Sequence, residues 1–319
     1  MAKPWQALRL ALLLLLLALG GCATQTAALR EQPLSGLPRR AELAATPFFA
    51  QERYQCGPAA LAMVLQASGQ PVSPEELVPQ VYVPQRQGSL APEMLAAGRR
   101  NGAVAVPIAP KLSSLLQEVA AGNPVVILQN LSLPISPLWH YAVVIGYNLD
   151  DEELILRSGT TERQVMAMST FEHTWARGDY WGMVALPPGR LPASVDEAGV
   201  AEALVGFEKS APPQRSRLAY DAALKRWPRN LTLQLGSGNA AYAAGDLPAA
   251  IDAFTRASQD HPDSAPAFNN LASALAEAGK LDEARAAAEK AVAIGGPWRE
   301  AALGTLADIR ARQATPTMR

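Results

Sequence analysis

Two residues in this chain carry side chains suited to nucleophilic and acid–base work and stand in settings that favour it: Cys56 and His140. Cys56 opens the run Cys56-Gly57-Pro58-Ala59-Ala60-Leu61. Pro58 fits the first turn of a helix, and Leu61, Val64 and Leu65 recur at helical spacing. A thiol at a helix N-terminus meets the positive end of the dipole and unpaired N–H groups, so the sequence predicts ionisation below an ordinary thiol's pKa of about 8.5. His140 opens His140-Tyr141-Ala142-Val143-Val144-Ile145-Gly146-Tyr147, whose composition predicts a buried strand. An imidazole there can take the thiol's proton and return it to a leaving amine, while an amide N–H beside the helix start holds the developing oxyanion. The blander role of Cys56 is that of a buried small hydrophobe, and of His140 a satisfied core histidine.

The chain has two cysteines, and the other, Cys22, closes Leu19-Gly20-Gly21-Cys22 after Lys3, Arg9 and an apolar stretch from Leu10 to Leu19. This reads as a secretory signal over residues 1–21 ending in a lipobox, with lipid on the Cys22 sulfur. The stretch is far shorter than the roughly 20 residues a membrane-spanning helix needs. Lipid on Cys22 implies attachment to a membrane; the segment resembles Gram-negative lipoproteins, in which Asp after the cysteine usually marks retention in the inner membrane, and with Ala23 there the resemblance implies the periplasmic face of the outer membrane. Exported thiols normally pair as disulfides, and with Cys22 modified Cys56 has no partner in the chain.

The elements that must position these residues follow from punctuation and periodicity. Residues 22–46 are rich in Gln, Arg, Pro and Ala without a steady period and predict a flexible tether. Residues 47–188 read as mixed helix and strand: helix starts at Ser73-Pro74-Glu75-Glu76 and Gly88-Ser89-Leu90-Ala91-Pro92-Glu93, strands at Ala103 to Ile108 and Pro124 to Leu128, and a hairpin joining the His140 strand to Leu154-Ile155-Leu156-Arg157. Thr170-Phe171-Glu172-His173-Thr174-Trp175 predicts a surface helix. Leu186-Pro187-Pro188-Gly189-Arg190-Leu191-Pro192 marks a boundary. Over residues 194–312 the chain is alanine-rich and repeats: Gly245, Ala250 and Ala257 recur 34 residues on as Gly279, Ala284 and Ala291, and Pro228 as Pro262. This resembles tetratricopeptide repeats, about two and a half of them, with Trp298 to Ile309 as a capping helix.

Cys-Gly-Pro-Ala-Ala-Leu on a helix, a preceding Gln and a downstream His-Tyr-Ala-Val-Val-Ile-Gly-Tyr strand resemble the papain-like cysteine peptidases of the bacteriocin-leader-processing type (double-glycine peptidases, family thirty-nine) and their stand-alone relatives, over Pro47 to about Pro187. The resemblance implies an α+β papain-like cysteine peptidase domain followed by an all-α tetratricopeptide-repeat solenoid. It implies Cys56 as nucleophile, His140 as base and acid, and Gln51 as oxyanion donor. This chain departs from the pattern in two places. Gln51 stands five residues before Cys56 where leader-processing members generally have six, with Gln55 the weaker alternative. Where those enzymes usually carry an Asp, the strand after His140's reads Leu156-Arg157-Ser158-Gly159, so Ser158 or a backbone carbonyl is left to orient the imidazole. Asp150 and Asp151 fall in a turn, where solvation is their role.

At 319 residues with net charge −1, the chain can hold two cores and has no charge excess for nucleic acid. Three histidines without clustered ligands predict no metal site, and nothing predicts a cofactor. His173 and His261 read as structural, and of Trp139, Tyr180 and Trp181, aromatic core residues by default, each is also a candidate for a substrate groove. The reading is a lipid-anchored periplasmic thiol peptidase acting on a peptide or protein, whose repeats recruit a protein partner. The alternatives are a catalytically silent peptide-binding scaffold, and acyl or amide transfer through the same thioester.

Overall fold

The computed structural model describes residues 23–32, 34–51 and 55–314, so the expected signal sequence over 1–21 and the lipidation site Cys22 lie outside the described residues. Contacts divide the chain into two units. Of the described residues, the first comprises those within 23–67, 71–94 and 107–184, and the second those within 68–70, 95–106 and 185–314.

Along the chain up to Leu186, α1 (Thr24–Glu31) precedes β1 (Arg40–Glu42), and α2 (Cys56–Ala67) is buried along most of its length. Every residue of α2 from Gly57 to Leu65 is buried, so the helix is apolar all round rather than on the one face its spacing predicted. Next come α3 (Pro74–Val81), the short hairpin β2 (Tyr82–Val83) and β3 (Gly88–Ser89), and α4 (Ala91–Arg100). Ser73 caps α3 through a reciprocal capping box with Glu76, as Ser-Pro-Glu-Glu predicted. Then follow β4 (Val104–Pro107), α5 (Leu112–Ala120), β5 (Val125–Asn130), β6 (Trp139–Asn148), β7 (Glu153–Ser158), β8 (Thr161–Ala167), α6 (Met168–Ala176) and β9 (Gly182–Leu186). Apart from the β2–β3 hairpin, the strands form one sheet in the order β4-β9-β5-β6-β7-β8, with β1 also paired to β6. The predicted hairpin is present: β6 and β7 run antiparallel with Asn148 opposite Glu153.

Two expectations are corrected here. The described part of 22–46 is not a loose tether, because β1 pairs with β6 from Arg40↔Asn148 to Glu42↔Gly146 and α1 is bonded to the domain by its own N-terminus. Glycine at 146 permits the strand pairing, since a Cβ there would stand 2.7 Å from the Ala41 carbonyl oxygen. The helix at 168–176 is not a surface helix either: Phe171 and Trp175 are fully buried, each removing an aromatic side chain from water for about 2–3 kcal/mol. Only His173 of its histidine-bearing turn is exposed, as expected.

The second unit is a run of helices: α7 (Glu197–Glu208), α8 (Pro213–Arg226), α9 (Leu231–Ala243), α10 (Leu247–Asp260), α11 (Ala265–Glu277), α12 (Leu281–Ile294) and α13 (Arg299–Ala314). The 34-residue period carries α9 and α10 onto α11 and α12, and its alanines Ala250, Ala257, Ala284 and Ala291 are all completely buried. Asn230, Asp246 and Ser264 each accept a backbone N–H at a helix start, so polar residues in the repeat act as caps. The division between units falls just before Ala185 rather than within 187–192. The helical unit also holds 68–70 and 95–106: Arg215 donates to the Gly102 carbonyl (2.9 Å) and to Gln70 Oε1 (3.2 Å).

Candidate active site

Cys56 is the first residue of α2, and His140 the second of β6. Both line one cavity of about 960 Å³, together with Gln51, Ser89, Leu90, Trp139 and Tyr141. The hairpin of β2 and β3 is pressed onto the start of α2, and this explains Gly57: a Cβ there would stand 2.2 Å from Ser89 Oγ and 2.6 Å from Ser89 Cβ. The Tyr141 hydroxyl donates to the Ser89 carbonyl at 3.3 Å, tying the hairpin to β6 one residue past His140.

His140 Nε2 and Ser158 Oγ are hydrogen-bonded at 2.9 Å. The third position, without a carboxylate in the sequence, is therefore filled by a hydroxyl at the end of β7. No Asp or Glu lines the cavity among the described residues. Asp150 lies in the β6–β7 turn and pairs with Arg39 and Arg40, where the hydrogen bond from Arg39 holds its carboxyl below the usual range.

Gln51 joins the pieces. Its backbone N–H donates to the Gly159 carbonyl (3.0 Å), Oε1 accepts from Gly159 N–H (3.2 Å), and Nε2 donates to the Tyr141 carbonyl (3.2 Å). Gln51 thus clips the turn after Ser158 to the strand carrying His140, and its amide nitrogen has a second hydrogen to give. Gln55, the alternative, does not line the cavity.

The electrostatics correct one expectation. Burial pushes the Cys56 thiol up, and the N–H groups of Tyr141, Gly57 and Cys56 itself pull it only partly back. Burial pushes the His140 imidazole down. Loss of water around the sulfur outweighs the helix N-terminus in setting the direction at Cys56, and at both residues burial favours the neutral form.

Three buried polar residues that tie the elements of this unit together escaped the sequence reading. Arg157, noted only for not being a carboxylate, is 5% exposed and donates to the Ala44 (2.9 Å), Thr46 (3.0 Å) and Glu162 carbonyls, anchoring the segment that leads to Gln51. Glu172, 2% exposed, accepts from Gln25 N–H (2.8 Å), Thr26 N–H (2.7 Å) and Thr26 Oγ1 (2.7 Å). Gln129, beside His140 in the sheet, donates to Thr174 Oγ1 at 2.6 Å and fixes α6 against β5. A charged side chain inside a run of strand residues was the available signal for Arg157. Of the aromatic candidates Trp139 lines the cavity, while Tyr180 and Trp181 pack edge-on against Trp175 and Tyr141. Among the described residues no cluster of His, Cys, Asp and Glu could hold a metal ion, and no helix is long and apolar enough to cross a membrane.

Residues 43–181 match the family model described as Peptidase_C39 like family, and residues 212–265 and 235–297 match tetratricopeptide repeats. The chain carries a C39-like peptidase domain followed by tetratricopeptide repeats. Among solved structures it is similar to a C39-like peptidase from Bacillus anthracis (19% identity, 46% of this chain and 97% of that one, TM-score 0.38). It is also similar to the type III secretion chaperone SycD of Yersinia enterocolitica in complex with a peptide of the translocator YopD (16% identity, 36% of this chain and 92% of that one, TM-score 0.34). No curated protein matches the sequence.

Proposed function

We propose that this protein is a thiol peptidase, with Cys56 as nucleophile, His140 as base and acid, Ser158 orienting the imidazole and Gln51 donating to the oxyanion. The observation that carries the reading is the 2.9 Å bond from His140 Nε2 to Ser158, on a histidine that shares one cavity with the only cysteine among the described residues. With Nε2 engaged, Nδ1 is assigned to the thiol. Burial favours the neutral form of each residue, and Nδ1 is assigned to take the thiol proton as sulfur bonds to the peptide carbonyl carbon. The imidazolium then protonates the leaving amine as the C–N bond breaks, and water, deprotonated by the same histidine, hydrolyses the thioester. The second Nε2 hydrogen of Gln51 serves the carbonyl oxygen as charge develops.

The repeats are assigned to a protein partner, since stacked helix pairs present an extended surface and this unit contains no cysteine. Cys22 is assigned the lipid, and the periplasmic face of the outer membrane the location, from the lipobox and Ala23. A silent peptide-binding scaffold is the second reading, favoured by the absence of any carboxylate among the described cavity-lining residues and by burial that pushes the thiol up and the imidazole down.

The test is to incubate the purified full chain with a complex peptide mixture and map new termini by mass spectrometry, alongside Cys56→Ala and His140→Ala. New termini made by the wild type and reduced on the order of 10³-fold or more in both variants support the peptidase. Peptides retained but never cut point to the scaffold.

A further inference from the structure

The way α1 is docked fixes how the peptidase unit meets a membrane. Glu172 caps the start of α1 from inside the domain with the three bonds described above. Gln25 adds two more with its side chain: Oε1 accepts from Leu112 N–H (2.6 Å) and Nε2 donates to the Pro110 carbonyl (3.2 Å). Arg30, at the other end of α1, pairs with Glu152. Ala23 is the N-cap of this helix, and Cys22 is bonded directly to Ala23. Consecutive Cα atoms are about 3.8 Å apart, so nothing in the covalent chain can act as a spacer between residue 22 and the docked helix.

We infer that the face of the peptidase unit around the start of α1, with Pro110 and exposed Lys111, is an interaction surface for a phospholipid bilayer, held flush against it by lipid on Cys22 rather than carried on a tether. This rests on the proposed lipidation of Cys22. Lys111 is the N-cap of α5, between the Pro110 and Leu112 backbone groups that bond Gln25, and brings a cation to the phosphate level, where a basic residue near an anionic surface is favoured.

The test uses the full lipidated chain carrying Ser113→Cys, two residues past the intact Lys111, in a Cys56→Ala background, so that position 113 bears the one labelled thiol. The chain is placed in vesicles of phosphatidylethanolamine and phosphatidylglycerol containing a lipid with a nitroxide on its headgroup. A fluorophore at position 113 is expected to be strongly quenched. Inserting twenty Gly/Ser residues between Ala23 and Thr24, a coil with a root-mean-square span of about 25 Å, should lower the quenching several-fold. Intact-mass measurement of the diacylglyceryl group separates the two ways of failing. Lipid present on Cys22 with weak quenching that the insertion does not change overturns the docking face alone; no lipid on Cys22 overturns the anchoring reading and the docking face with it.

Discussion

Replacing Ser158 with Asp tests whether the hydroxyl on His140 sets the protonation of the whole pair. Ser158 Oγ lies 2.9 Å from His140 Nε2, and burial holds the imidazole below its usual pKa of about 6.5. A carboxylate about 4 Å from the imidazolium centre interacts with it by about 4 kcal/mol at an effective dielectric of 20, an upper bound of about 3 pK units. The carboxylate's own loss of hydration and the extra bond of reach in aspartate reduce this, and about 1–2 units should remain. The imidazolium fraction near neutrality then rises about 10–100-fold, and with it the thiolate that the imidazolium stabilises. The assay is the rate of Cys56 alkylation by iodoacetamide between pH 5.5 and 8.5 in wild type, Ser158→Asp and Ser158→Ala. The wild-type rate should climb mainly above pH 8; Ser158→Asp should bring a plateau to pH 6–7 and raise the rate at pH 6.5 at least tenfold. His140→Ala in the Asp background should abolish the plateau. Identical pH profiles in all three proteins would refute the coupling of Ser158, His140 and Cys56.

Three further outcomes are expected. His140 is lowered, so the folded state binds fewer protons than the unfolded state just below pH 6.5; Cys56 is raised, so it binds more just above about pH 8.5. Chemical denaturation across pH should therefore show stability from this pair greatest between those values and falling on both sides, with both slopes reduced in Cys56→Ala/His140→Ala. Gly57→Ala should cost about 1–3 kcal/mol through its clash with Ser89, lowering the unfolding midpoint by about 2–4 °C per kcal/mol, and Ser89→Gly in the same chain should restore most of it. Ending the chain at Pro192 should speed hydrogen exchange in 95–106, because Arg215 no longer holds Gly102; exchange unchanged there would show that these residues do not depend on the helices.

What the sequence revealed and what it hid divide along a physical line. Local rules located Cys56 at a helix start, His140 at a strand start, the Ser73 cap and the 34-residue repeat, because each is written in the residues within one element. The site's electrostatics were not legible: the helix N-terminus at Cys56 is a local feature, whereas the burial that overrides it is supplied by β3, β6 and the segment at Gln51. Nor was the fate of the described part of 22–46, which looks unstructured by composition, yet its helix α1 is capped by Glu172, nearly 150 residues away in sequence, and β1 pairs with β6. Arg157 and Gly57 likewise take their meaning from partners that only the fold brings near.

A working thiol peptidase must form and release an acyl intermediate on Cys56. Rapid-quench intact-protein mass spectrometry of the full chain with a short N-acylated peptide ester reads it directly. An adduct of the acyl mass on Cys56 within the first turnover, decaying as free acid appears and decaying far more slowly in His140→Ala, is the predicted result. No adduct on Cys56 while ester hydrolysis proceeds, or an adduct that forms and never turns over, would contradict it.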